Sequence, residues 1–244
     1  MQAFGKYATT FDNEYLTQHF VYIGSDDEQI DIEELEQMLK KKRKTVVGTM
    51  IFYNPAIAPK GYNMNSTLTE QGFEFDDDFH KLNHTDIHHL IYQAMKNEYR
   101  GKLVEIKYLF NLNKENVQST SIIDKFEIDL DRYTSEQLTI FDKELNYQDY
   151  LNIRLTGKFV FFGSGHKYDK EYTHTFTYSK NLAKQAEKLG KKVLFIHDRN
   201  YNEDECIDQA YFLDPIATGK ARTTRANAFK KMFSTNPPEI QRID

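Results

Sequence analysis

"KFVFFGSGHKYDKEYTHTFTYSKNLAKQAEKLGKKVLFIHD", residues 158–198, is the stretch on which the fold turns. Two apolar runs, "KFVFF" at 158–162 and "KVLFI" at 192–196, are short and bounded by charge or glycine, the pattern of strands buried on both faces. Between them, "YSKNLAKQAEKL" at 178–189 sets Tyr178, Leu182, Ala186 and Leu189 on one stripe of a helix that Gly190 closes. Strand, amphipathic helix and strand in succession predict two neighbouring parallel strands, because parallel strands need a crossover connection rather than a tight turn.

The chain upstream reads in the same way. "QHFVYIG" at 18–24 is a strand ended by Gly24, and "TVVGTMIFY" at 45–53 is the next. Between them "DIEELEQMLKKKRK" at 31–44 predicts a helix with Ile32, Leu35, Met38 and Leu39 facing inward, its acids first and bases last as the helix dipole favours. A long irregular insertion around 54–84 follows Pro55 and Pro59, then a helix over 85–99 with Thr85 as N-cap and Ile87, Leu90, Ile91 and Met95 inward. "KLVEIKYLF" at 102–110 and "IIDKFEIDL" at 122–130 read as strands, "SEQLTIFDKEL" as a helix, and two short helices near 203–211 and 221–233 close the chain. The alternation predicts an α/β fold: a parallel or mixed β-sheet with helices on both faces, Rossmann-like and doubly wound. No linker divides it, so residues 1–244 read as a single α/β domain carrying a C-terminal basic helix around 220–233.

Composition narrows the classes. The 244 residues carry a net charge of −5, and 18 Phe and 16 Tyr supply large side chains for a core despite a mean hydropathy of −0.70. A net negative chain does not coat nucleic acid by bulk charge. The opening "MQAFGKYATTFDNEY" lacks the basic and apolar regions of a secretory signal, and no run reaches bilayer-spanning length, so a cytoplasmic protein without a membrane partner is expected. Cys206 is the single cysteine, which leaves no internal disulfide and no thiolate cluster for zinc; set among the carboxylates of "NEDECID", it reads as structural.

If the strands of the opening stretch are parallel, their carboxyl ends share one edge. That edge gathers Gly163, Ser164, Gly165, His166 and Lys167 from one strand, and His197, Asp198 and Arg199 from the other. Ligands of open parallel sheets bind at such edges, and glycines there let a ligand approach backbone amides that donate to phosphate. The expected ligand is a phosphorylated small molecule, a nucleotide being the leading case, with transfer or hydrolysis assisted by His166 or His197 as acid or base beside Asp198. The similarity to dinucleotide-binding units is weak: "GSGHKY" lacks the third glycine, and more than ten residues separate Gly165 from the expected helix. The sequence points to no particular cofactor. "ATGKARTTRANAFKKMFSTNPP" at 217–238 has no acid and places Arg222 and Arg225 where a helix would grip phosphate or a nucleic-acid backbone; its plainer role is a helix docked through Phe229, Met232 and Phe233.

Two further readings compete. Glu105 and Lys107 in "LVEIKY" resemble the Glu-x-Lys half of the PD-(D/E)xK nuclease pattern, whose other half is a carboxylate on a neighbouring strand. Asp76, Asp77, Asp78, Asp129 and Asp131 are the candidates for it. A noncatalytic interaction module, using the Tyr and Phe surface, is the third. His80, His84, His88 and His89 crowd a helix start; His84 and His88 have the spacing of paired zinc ligands, but a cap at Thr85 leaves His84 outside the helix, and no metal site is assigned.

Overall fold

The computed structural model describes residues 1–9, 14–25, 27–52, 66–68, 74–108, 155–163, 173–197, 212–216 and 221–243. Among them five strands run parallel: β3 (Val46–Phe52), β7 (Lys102–Tyr108), β8 (Phe159–Gly163), β9 (Lys192–His197) and β10 (Gln241–Arg242). An antiparallel wing is added by β1 (Gln2–Thr9), β2 (Glu14–Ile23), β4 (Ser66–Leu68), β5 (Glu74–Asp76) and β6 (His80–Lys81). The described strands form one mixed sheet in the order β10-β9-β8-β3-β7-β2-β1-β5-β4, with β6 also paired to β1. The protein is therefore of the α/β class.

The decisive stretch folds as its apolar runs require. β8 and β9 are direct parallel neighbours, Phe159 opposite Lys192 and Phe162 opposite Phe195. Every residue of β8 is buried, as is every residue of β9 after Lys192, which explains why these strands show no polar alternation. The helix between them, α4 (Thr173–Lys188), starts five residues before the expected Tyr178 and buries Leu182, Ala183 and Ala186 completely. Leu189, expected inward, is 52% exposed: it lies beyond the last helical turn, where Gly190 at φ +70° turns the chain and donates to the Glu187 carbonyl at 2.8 Å.

Pleat alternation then sorts the core. On one face, Met50, Val104, Ile106, Phe159, Phe161, Leu194 and Ile196 meet α3 (Asp86–Met95) and α5 (Ala221–Met232) through Ile91, Met95, Phe229 and Met232. Phe161 packs edge-on against Phe229 with ring centroids 5.0 Å apart, so the basic C-terminal helix is fastened by its aromatic side, as its plainer reading required. On the opposite face Phe4, Phe20, Val46 and Leu103 receive Leu35 of α1 (Ile32–Lys40), which leads through the short α2 (Lys42–Thr45) into β3. Met38 and Leu39 join this cluster in part, but Ile32, also expected inward, is 36% exposed. Asp31 accepts from the Glu34 amide and Glu34 answers to the Asp31 amide, so the capping box sets where α1 starts and Ile32 falls in its first, solvent-facing turn.

The expected strand at 18–24 is the inner part of a ten-residue β2, and its partner β1 was not foreseen. Short strands β4, β5 and β6 lie inside the 54–84 insertion. The expected strand at 122–130 and the helices at 135–145 and 203–211 fall outside the described residues.

Candidate functional site

Five parallel strands give the sheet a carboxyl edge, marked by Phe52, Tyr108, Gly163 and His197 at the ends of β3, β7, β8 and β9. β3 pairs with β7 on one side and β8 on the other, so the chain leaves β3 in one direction and later resumes on its opposite flank. Phe52 and Gly163 are register partners at that reversal. Amino ends of helices face the same edge, because α3 and α4 each run back from it toward the start of the following parallel strand. α4 and α5 carry no acid in their first turns, which leaves the positive ends of their dipoles without side-chain compensation from within the helix.

Of the residues expected at this edge, Gly163 and His197 are described and terminate adjacent strands. A side chain added at Gly163 would meet Pro215 Cδ at 2.9 Å and Phe52 Cε1 at 3.1 Å, so packing alone explains a glycine at this position. His197 is 1% exposed, shares a pleat face with Val193 and Phe195, and its carbonyl accepts from the Ile243 amide at 3.0 Å. Ser164, Gly165, His166, Lys167, Asp198 and Arg199 lie outside the described residues. The helix after the loop begins at Thr173, eight positions beyond Gly165, closer than the more than ten expected. Arg222 reaches Asp86 in the first turn of α3 at 3.0 Å, while Arg225 directs Nη1 to the Asp214 carbonyl at 3.5 Å. These two arginines therefore join α5 to its neighbours.

Glu105 and Lys107 share one face of β7, with Lys107 Nζ 3.7 Å from Glu105 Oε1. Glu105 is buried; Thr156 Oγ1 donates to its Oε2, and the single Thr49 hydroxyl proton faces both that oxygen at 3.2 Å and the Thr156 carbonyl at 3.1 Å. Thr49 in turn accepts from the Thr156 amide at 3.0 Å, so the carboxylate ties the approach to β8 across β3. Gly157 makes that crossing feasible: at φ +75° it passes so close to the Val47–Gly48 backbone that a Cβ would collide with it. The carboxylates sought beside this pair sit elsewhere: Asp76 is on β5, separated from β7 by β1 and β2, its Oδ2 2.6 Å from His80 Nε2. Asp129 and Asp131 lie outside the described residues.

The cluster that sequence reasoning missed lies on the other face of β7. His19 of β2 and His88 of α3 are buried at 1% and 0% exposure, their Nε2 atoms 2.8 Å apart. His19 Nδ1 lies 3.0 Å from the Tyr108 hydroxyl, and His88 Nδ1 accepts from the Thr85 amide at 3.1 Å. Burial, then the neighbouring His88, holds the His19 pKa well below the usual histidine range. Burial, then His84 and His89, pushes His88 down to about 3, and burial pushes Tyr108 up. His84, half of the zinc-spaced pair, stays at the surface, its ring edge-on to that of His88 with centroids 6.5 Å apart. Among the described residues no group of three or more His, Cys, Asp and Glu side chains is arranged to hold a metal.

At the opposite edge of the sheet, Ser25, Asp27, Glu28, Arg100 and Gly101 line a shallow, open depression. Glu28 is held there by Tyr22 at 2.7 Å and Arg100 at 3.6 Å, and the Tyr22 hydroxyl followed by the Ser25 amide lowers its pKa. Among the described residues no helix is long and apolar enough to cross a membrane. No family model matches the chain, and no curated protein or solved structure matches it.

Proposed function

We propose that this protein binds a phosphorylated small molecule, a nucleotide in the leading case, at the carboxyl edge of its parallel strands. The observation that carries the reading is the order of the described parallel strands: β7, β3, β8, β9 and β10 read 2-1-3-4-5 by position in the chain, an order that doubly wound, Rossmann-like sheets use. In that arrangement ligands sit outside the carboxyl ends where the order reverses, here between β3 and β8. Helix amino ends without acids in their first turns favour an anion at this edge. Ser164, Gly165 and Lys167 would meet the phosphate, and His166, His197 or Asp198 would move a proton during transfer or hydrolysis.

The test is thermal unfolding with ADP, inorganic pyrophosphate or adenosine, with and without magnesium. A ligand bound only to the folded chain raises Tm by an amount set by RT ln(1 + [L]/Kd), about 2.7 kcal/mol at a hundredfold excess over Kd. ADP and pyrophosphate are expected to stabilise, adenosine to do so weakly, and Lys167→Ala to remove the shift. No shift with either phosphate compound rejects the reading.

The Glu105–Lys107 pair supports a second reading, a magnesium-dependent nuclease of the PD-(D/E)xK kind. It requires plasmid nicking that depends on magnesium and is lost in Glu105→Gln. Silence in both assays, with a macromolecular complex recovered intact, would leave the noncatalytic interaction module.

A further inference from the structure

We propose that the His19–His88 contact is an acid-sensitive latch that holds the amino end of α3 on β2 and lets go when either ring takes up a second proton. The argument is geometric and independent of the ligand reading. The Thr85 amide donates to His88 Nδ1, so that nitrogen carries no proton and the ring's single N–H is on Nε2. This N–H donates across 2.8 Å to His19 Nε2, which places the His19 proton on Nδ1, where it donates to the Tyr108 hydroxyl at 3.0 Å. One backbone amide thereby fixes the tautomers of both rings.

A second proton breaks this chain, and the neutral acceptor near His88 that favours it is the Asn83 carbonyl. On His88 Nδ1 it would face the Thr85 N–H; on His19 Nε2 it would face the His88 N–H. Among the described residues the groups around the pair offer no direct carboxylate partner. His89 comes from α3 and His84 from the residues just before its cap, and the Met1 amine lies near His84. β7 contributes the Tyr108 hydroxyl and β1 contributes Tyr7, both neutral. The nearby carboxylate of the first turn, Asp86, is exposed and engaged with Arg222 of α5. A charged imidazolium would therefore be buried with the Asn83 carbonyl but no opposite charge beside it, and leaving the β2 surface is the way to solvate it.

The same geometry speaks against a shared metal. A ligating imidazole donates its second N–H to an acceptor, whereas His88 Nδ1 faces a donor.

The test uses the full chain. Nitrogen-15 NMR of the wild type at pH 7.5 is expected to report His88 protonated at Nε2 and His19 at Nδ1, both neutral. Hydrogen exchange of the Asp86–Met95 amides, corrected for intrinsic rates, should accelerate on acidification below about pH 6.5, by roughly tenfold per pH unit for one ring and at most a hundredfold for two. This should precede exchange of the β8 and β9 amides. In the His19→Leu/His88→Leu double variant the acid acceleration should vanish. Other tautomers, rings that titrate near 6.5 with α3 still protected, a double variant with unchanged acid response, or zinc stabilisation that needs both histidines would each overturn the latch. The tautomer measurement stands even if the variant does not fold.

Discussion

Strand β7 carries two buried polar clusters on opposite faces, and they solve the problem of burying polar groups in different ways. On one face Glu105 is surrounded by donors: two threonine hydroxyls and the Lys107 ammonium. On the other, His19, His88 and Tyr108 share neutral hydrogen bonds directed by a single amide. The first cluster is held by opposite charge and the second by proton placement. Removing one partner should therefore damage the first, and adding a proton should damage the second.

The largest expected effect is on the carboxylate side. Glu105→Ala leaves Thr156 Oγ1 and Lys107 without their acceptor and Thr49 with the Thr156 carbonyl alone, and should cost about 3 kcal/mol in urea unfolding. Glu105→Gln keeps an acceptor for the hydroxyls and should cost less. Equal losses in the two variants would show that the carboxylate charge, rather than acceptor geometry, fastens β8 to β3.

Next comes acid applied to the histidine side. His88 has a folded pKa of about 3 against about 6.5 when unfolded, so between these values the unfolded chain binds the extra proton. Stability is full above about pH 6.5, falls as pH drops through this window, and levels off below the folded value. At pH 5 His88 alone should cost about 2 kcal/mol relative to pH 7.5, with His19 acting in the same direction. Urea midpoints from pH 7.5 to 4.5 measure it, and His88→Leu should flatten the slope.

These clusters also show what the sequence displayed and what it hid. β8, α4 and β9 were legible because their continuous apolar runs, helical stripe and terminal glycine are local signals. The His19–His88 pair was not, because its partners are 69 residues apart and a histidine at a helix start reads as a solvated polar residue. β1 was hidden by glycine, lysine and threonine in "QAFGKYAT", whose strand character comes from pairing with β2 rather than propensity. Glu105 and Lys107 were noticed, but only the fold showed Thr49 and Thr156 closing around the carboxylate. For the carboxyl-edge loop, Gly163 and His197 could be placed at the ends of paired strands, while the glycine itself answers to Pro215 and Phe52.

A smaller effect isolates the hydroxyl contribution. Thr49→Val preserves shape but removes the donor to Glu105 and the acceptor for the Thr156 amide, and should cost about 1–2 kcal/mol. If Thr49→Val proves as costly as Glu105→Ala, the threonine and not the carboxylate is the centre of that cluster.

The smallest expected effect joins the two regions. Arg222 and Asp86 are both exposed, so Arg222→Ala should change stability by no more than about 0.5 kcal/mol although it cuts a link between α5 and α3. That near-silence makes the variant useful. If Arg222 serves only as a tether, nucleotide-induced Tm shifts should match the wild type, and loosening α3 should raise the onset pH of its acid-driven exchange. If Arg222 leaves Asp86 to contact phosphate, the nucleotide shift should shrink while Asp86→Ala, which frees the guanidinium, should enlarge it. Opposite responses of the two partners would assign Arg222 to the ligand; parallel responses would assign it to the helix pair.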